Sequence, residues 1–320
     1  MNHLKWLIAA VTALFVTSVG AQSYPSRALT MVVPFPPGGG GDMMARVIAD
    51  GLQRRLGQSV VVNNRPGGDT IIGTTAAAQA APDGYTMLFS GNNIGVGEAL
   101  GTKLPYNAQT DFIAISSLAT APIMLLANPK LGVKSMADLL AMAKKRPGEI
   151  TFAHLGKSAH QYLAFKMIEQ LGGVKLLDVP YKGTGPATSA LLGGEIDLIF
   201  IGAGPGQKLA ESGKAVALGV TSPKRVSAAP DVPTIAEAGL PGFEIVPRFY
   251  MLAPRGTPDD IIVRLNAEIV AVMRDKESAD KFIAASLNPD PSTVAEAAAW
   301  LKADYQTMLD VIRKGGIKAD

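Results

Sequence analysis

The stretch LTMVVPFPPGGGGDMMARVIADGLQRRLG, residues 29–57, changes its hydrophobic period half-way along. Leu29 to Phe35 is short, apolar and β-branched, which reads as a buried strand. Pro36-Pro37-Gly38-Gly39-Gly40-Gly41-Asp42 follows, a turn that neither strand nor helix accommodates. Met44, Val47, Ile48, Leu52 and Leu56 then recur at helical spacing, and Gly57 ends the run.

The same unit recurs along the chain. Ser59 to Asn63 reads as a strand, Arg65-Pro66-Gly67-Gly68 as a turn, and Thr70 to Ala80 as a helix. Thr86 to Ser90 is the next strand, ending at Gly91-Asn92-Asn93. Further on, Ser135 and Asp138 open a helix that Pro147-Gly148 closes. Ile150 to Ala153 is a strand, and Ser158 with Gln161 forms an expected capping box into a helix reaching Leu171. Pro186 fits the first position of another helix. Ile196 to Ile201 and Ala215 to Thr221 are strands, Thr257-Pro258-Asp259-Asp260 caps a helix through Met273, and a last helix runs from about Thr293 to Lys314.

Such alternation implies an α/β fold of mainly parallel sheets with helices on both faces. Two sets of units, separated near residues 119–128, imply two lobes with a ligand cleft between them. The apolar segment Ile245 to Ala253 is expected to return the chain to the first lobe. The expected boundaries are 22–123 with 249–320 for lobe 1, and 124–248 for lobe 2. Ligands of such sheets sit at the carboxyl ends of the strands, where the glycine turns lie.

Residues 1–21 read as an export signal. Met1 to Lys5 carries positive charge, Trp6 to Val16 is apolar apart from Thr12, and Val19-Gly20-Ala21 offers small residues for cleavage after Ala21. The apolar run is shorter than the roughly 20 residues that span a bilayer. The mature chain is therefore expected to be soluble and exported.

Charge and composition narrow the chemistry. Thirty basic and 27 acidic residues, without a long run of either sign, disfavour nucleic-acid binding. There is no cysteine, so thiol nucleophiles, thiolate metal sites and disulfides are absent. Of three histidines, His3 falls in the export signal, leaving His154 and His160; no metal site and no cofactor are expected. Gly156-Lys157-Ser158 imitates the end of a P-loop, but Thr151 stands where its first glycine belongs. The turn at residue 38 has Met43 where a dinucleotide fingerprint requires glycine. Ser158 and His160 lack a nucleophile elbow and a third relay group, so no catalytic residue is assigned.

What remains is a set of helix-opening turns, at 34–42, 63–70, 154–160 and 181–186. Each presents unpaired backbone N–H groups at the positive end of a helix dipole, a ready site for a carboxylate or phosphate.

The strings PFPPGGGGDMMAR, NNRPGG, AAPDGYTMLFSGN, VPYKGTGPATSALLGGEIDLIF, VTSPKR, DVPTIAEAGLPGFE and LAPRGTPDDIIVRLNAEI carry a resemblance. In order and spacing the chain, from about Tyr24 to Asp320, resembles the Bug-type (TctC-like) periplasmic solute-binding proteins of tripartite tricarboxylate transporters. The resemblance implies a two-lobed periplasmic-binding-protein-like fold closing by a hinge over a small organic acid. It implies no catalysis and a monomer that delivers its ligand to membrane permease subunits. The ligand class is a di- or tricarboxylate, aromatic dicarboxylates included. An exported enzyme acting on organic acids, or a partner presenting ligand to a membrane sensor, are the alternatives.

By the same resemblance, the first-lobe carboxylate loop falls on Phe35, Pro36, Pro37, Gly38 and Gly39, with Asn92 nearby. Second-lobe contacts fall on Ser158, His160, Gly183, Thr184, Gly185, Gly202 and Ala203. Three departures concern the ligand. Asp69-Thr70 replaces a glycine pair, Ile201-Gly202 replaces Asp-Gly, and Pro247-Arg248-Phe249-Tyr250 replaces Ser-Trp-Phe-Gly. Losing an acid and gaining an arginine favours a more anionic ligand without an ammonium group. Arg248 is accordingly expected to meet a second ligand carboxylate in bidentate fashion, with Tyr250 on the opposite side supporting the hinge.

Overall fold

The computed structural model describes residues 24–38, 40–68 and 70–318. The export signal with its cleavage site, and also Gly39 and Asp69, lie outside the described residues.

The opening strand is β1 (Leu29–Val33), and the glycine turn leads to α1 (Gly40–Leu56), β2 (Val60–Asn64), α2 (Ile71–Ala78) and β3 (Thr86–Gly91). A 3-10 turn (Asn92–Gly95) and the single-turn α3 (Val96–Ala99) precede β4 (Phe112–Thr120). Next come β5 (Ile123–Ala127), α4 (Met136–Lys145), β6 (Thr151–His154), α5 (His160–Gly172) and β7 (Leu177–Pro180). They are followed by α6 (Thr184–Gly193), β8 (Leu198–Gly202), α7 (Ala203–Glu211) and β9 (Val216–Val220). The chain then forms β10 (Arg248–Pro254), α8 (Asp259–Arg274), α9 (Lys276–Ala284), β11 (Asn288–Pro289) and α10 (Val294–Gly315).

Two sheets result, ordered β11-β4-β10-β3-β1-β2 and β7-β6-β8-β5-β9. Within each, most strands share one direction, because β1, β2 and β3 pair in parallel, as do β6, β7 and β8. One interior strand runs against the grain in each body, β10 between β3 and β4 and β5 between β8 and β9, and the short edge strand β11 is also antiparallel to β4.

Strand periodicity sets the layers. In the first sheet Leu29, Met31, Val33, Met87, Phe89 and Met251 pack with α1 and α8. The alternating residues Val32, Leu88, Tyr250 and Leu252 pack on the other face with Ala77 and Ala297. In the second sheet Leu125, Phe152, Leu198 and Phe200 face α4 and α5, while Leu126, Ala153 and Ile199 face α6 and α7.

α10 serves both bodies. Ala297 lies in the first sheet's core, whereas Met308, Val311 and Ile312 are buried with Phe152 and Phe165 of the second. This helix therefore contributes to both cores, although it lies in the segment 249–320 expected for lobe 1. Its 22 residues are long enough, at 1.5 Å each, to cross from one core to the other.

Helix starts repay comparison with their sequence signals. Ser135 caps α4 by accepting from the Asp138 N–H, and Thr293 with Glu296 forms a complete capping box for α10. Three expected starts shift. Ala159, not Ser158, occupies the cap position of α5, without a side-chain cap. α6 begins two residues before Pro186, which becomes its third residue, where a missing N–H is still harmless. The Thr257 hydroxyl donates backward to the Pro254 carbonyl and leaves Pro258 at the cap of α8.

Candidate ligand-binding site

Two residues, Ala121 and Pro122, join the carboxyl end of β4 to the start of β5. Because β5 runs antiparallel to β8, Ile123 sits opposite Gly202, at the carboxyl end of that strand. The return crossing lies alongside, since the Ala121 N–H donates to the Pro247 carbonyl at 2.8 Å. The carboxyl edges of the two sheets therefore face each other across a pair of short crossings. Glycine turns line both edges, as ligand sites of open α/β sheets require.

On the first edge, Phe35 to Gly38 form the loop between β1 and α1. Its shape depends on Asp42, which the sequence reading left as a turn residue. The buried Asp42 carboxylate accepts from the Gly38 N–H at 2.9 Å, from Arg46 Nε at 3.0 Å and from Asn64 Nδ2 at 2.9 Å. Asn64 Nδ2 also donates to the Phe35 carbonyl, so the loop is held at both ends. The Arg46 hydrogen bond, with the Gly38 and Asn64 bonds, outweighs burial and lowers the Asp42 carboxyl to about 2. The Gly38 amide is thus already committed, and ligand contacts by this loop fall to its other groups. Gly38 has φ +80, a left-handed conformation suited to glycine.

Aromatic rings floor this edge. Phe249 stacks on Phe89 at 5.4 Å between centroids, and Phe35 stands edge-on to both. Neither Phe89 nor Phe249 is among the ligand contacts expected from sequence; Phe249 is the second residue of β10.

On the second edge, α5, α6 and α7 begin after β6, β7 and β8 respectively. Gly156 (φ +125) and Gly183 (φ +127) make their turns in conformations that other residues rarely adopt. The His154 Nδ1 accepts from the Gly156 N–H at 3.1 Å, which fixes the first of these turns, and its Nε2 lies 3.5 Å from Asp178. Gly202 caps α7 with the buried Ala203 as first residue. Gly183, Thr184, Gly185, Gly202 and Ala203 thus occupy two helix starts on one edge.

The edges meet directly at Asn92 and His160, whose Oδ1 and Nε2 are 2.7 Å apart. Asn92 also reaches the crossing segment, donating to the Val246 carbonyl at 2.9 Å and accepting from the Arg248 N–H at 3.2 Å. Burial lowers the His160 imidazole to about 4, so the ring is neutral near pH 7. The lobes also touch where Gly204 of α7 lies against Ser286, so tightly that a Cβ on Gly204 would sit 2.0 Å from Ser286 Oγ.

Arg248 is engaged elsewhere. Its guanidinium pairs with Asp290, lies 3.6 Å from Asp304 and covers the Trp300 ring at 4.7 Å. Its side chain is 15% exposed, and two carboxylates of the chain already match its charge. The guanidinium thus has carboxylate partners within the chain before any ligand arrives. Tyr250 does not lie on the opposite side. Residues two apart on a strand share a face, and both Arg248 and Tyr250 reach toward Asp304. Among the described residues no three His, Asp or Glu side chains gather into a metal-binding group.

Residues 44–308 match the family described as Tripartite tricarboxylate transporter family receptor. The chain belongs to that family. It is 38% identical to Protein BugT of Bordetella pertussis over 99% of both chains. Among solved structures, the R. palustris protein Rpa4515 with adipate is 32% identical with a TM-score of 0.76, over 93% of this chain and all of the other. MatC from Rhodopseudomonas palustris with bound malate is 29% identical with a TM-score of 0.74, over 90% and 100%. A ligand-free TctC solute-binding protein from Polaromonas superposes with a TM-score of 0.82 at 26% identity, over 91% and 100%. These relatives share the two-lobed binding-protein fold, and membership in a receptor family agrees with a site built from helix starts rather than from a catalytic relay. No helix among the described residues is long and apolar enough to cross a membrane.

Proposed function

We propose that the chain is an exported, non-catalytic receptor that closes two lobes over a small organic acid and delivers it to a membrane permease. The observation that carries this reading is the facing pair of sheet edges, each set with helix-opening glycine turns and bridged by Asn92 and His160. Backbone N–H groups at helix starts suit carboxylates without a charged side chain to neutralise them.

In this reading the lobes are 22–123 with 249–320, and 124–248, hinged at the two crossings, with α10 reaching from one to the other. The ligand shell comprises Phe35, Pro36, Pro37, Gly38 and Gly39 on one side. Asn92, Ser158, His160, Gly183, Thr184, Gly185, Gly202 and Ala203 complete it; Arg248 is left out. The rings of Phe35 and Phe249 suit the hydrocarbon part of an acid's spacer, as in the adipate held by one relative. The protein works in the periplasm as a monomer, after removal of residues 1–21.

The test is a thermal-shift and calorimetric screen of dicarboxylates, tricarboxylates and aromatic acids on the purified mature chain. A ligand at a hundred times its Kd adds roughly 2.7 kcal/mol of stability. The recovered acid should be unchanged by NMR, which separates a receptor from an exported enzyme. A chain that no acid stabilises, or that converts one, would overturn the reading.

A further inference from the structure

The bonding around Asn92 decides which nitrogen of His160 carries the proton. Asn92 is buried, and two backbone groups orient its amide. The Arg248 N–H can only donate, so the atom it meets at 3.2 Å is the oxygen; the Val246 carbonyl can only accept, so the atom 2.9 Å from it is the nitrogen. Asn92 Oδ1 is therefore an acceptor toward His160 as well. The 2.7 Å contact between them requires a hydrogen on His160 Nε2. Because burial keeps the ring neutral, Nδ1 is left with a lone pair and no proton.

That lone pair belongs to a residue at a helix start on the second edge. His160 is the first residue of α5, next to the Gly156 turn, and part of the residue's surface stays exposed. Among the described residues no group donates to Nδ1. A ligand carboxylate brought here would set one lone pair against another. A hydroxyl satisfies the nitrogen without adding charge, and leaves the carboxylates to the amide-lined turns. A plain diacid leaves Nδ1 unpaired once the lobes close over it and water is gone.

We propose that His160 is a specificity residue that accepts a hydrogen bond from a ligand hydroxyl, so that the receptor prefers hydroxy acids to their deoxy counterparts. The inference rests on the organic-acid reading above and sharpens it. Asn92 is the positioning residue behind it, since it fixes the tautomer.

The experiment measures Kd by calorimetry for two matched pairs, malate with succinate and 2-hydroxyadipate with adipate, and adds aspartate as the amino counterpart. In at least one pair the hydroxy acid should bind at least about tenfold more tightly, as expected when a site built around a hydroxyl meets an analogue lacking it. Aspartate should bind more weakly than malate. His160→Phe removes the Asn92 contact and should weaken every acid, but it should weaken the hydroxy acid by about tenfold more than the deoxy acid and so erase the preference. His160→Gln, which keeps a donor and an acceptor, should retain part of it.

Measurements at pH 7 in two buffers of different ionisation enthalpy should show no proton uptake on binding. Equal affinities within both pairs, aspartate as the tightest ligand, or uptake of about one proton by the wild-type chain each overturns the proposal while leaving the organic-acid reading standing. If no acid of any kind binds, both readings fall. Should His160→Phe not fold, the wild-type affinity ratios and the proton count decide the matter.

Discussion

The Tyr250 hydroxyl donates to the Asp304 carboxylate at 2.8 Å, tying the strand that returns from the second lobe to the helix that serves both cores. Tyr250 is fully buried, and burial raises the Asp304 carboxyl above the ordinary range. Tyr250→Phe removes the donor and leaves the acceptor in place. We expect a loss of about 1–3 kcal/mol in urea unfolding, with the slope unchanged. An unchanged midpoint would mean that water serves Asp304 equally well.

Asp42 gives an acid dependence whose sign is fixed. Its folded value, about 2, lies below the ordinary 3.8, so its contribution to stability is complete above about pH 4 and is lost as the pH falls toward 2. Asp42→Asn should lower stability at pH 6 and flatten the acid limb between pH 4 and 2. Ligand affinity should fall too, because the Phe35–Gly38 loop loses its anchor. Superimposable acid limbs for the two proteins would rule out this assignment.

For Arg248 the ion pairs within the chain lead us to expect a structural effect. Arg248→Ala strands Asp290 and Asp304, and we expect about 2–4 kcal/mol of destabilisation. Calorimetry should show equal, modest changes in affinity for a diacid and its monoacid analogue. A selective loss for the diacid would restore Arg248 to the ligand shell.

Gly204 is expected to limit how closely the lobes approach. Gly204→Ala places a methyl 2.0 Å from Ser286 Oγ, and Ser286 is itself held at φ +61, where a non-glycine residue is strained. The variant should bind acids more weakly and give a larger radius of gyration by small-angle scattering with ligand present. Adding Ser286→Gly removes both the obstructing atoms and the strain, and should recover most of the affinity. If the double variant is no better than the single, the obstruction lies elsewhere.

Much of this was legible because it is local. Apolar runs broken by proline and glycine mark β1, β2, β3, β6, β8 and β9 and the helices that follow most of them, whereas β4, β5, α7 and α9 carry no such signal and are not expected from sequence. β1 and α1 follow directly from the change of period after Phe35. The capping box at Thr293 and the cap at Ser135 depend on residues three apart, which a sequence displays in full. Ser158 misled for a related reason. Its spacing to Gln161 suits a cap, but the turn after His154 carries the helix start one residue further.

The sequence alone determined the units, the glycine turns that end their strands, and a composition without the groups for thiol or metal chemistry. Tertiary structure decided which long-range partners those turns and strands acquired. Arg248 is 42 residues from Asp290, Asn92 is 68 from His160, and Tyr250 is 54 from Asp304. Whether an arginine awaits a ligand or is already neutralised depends on what the fold brings within a few ångströms of it. Coulomb and hydrogen-bond energies fall off over that distance, and position along the chain does not encode it.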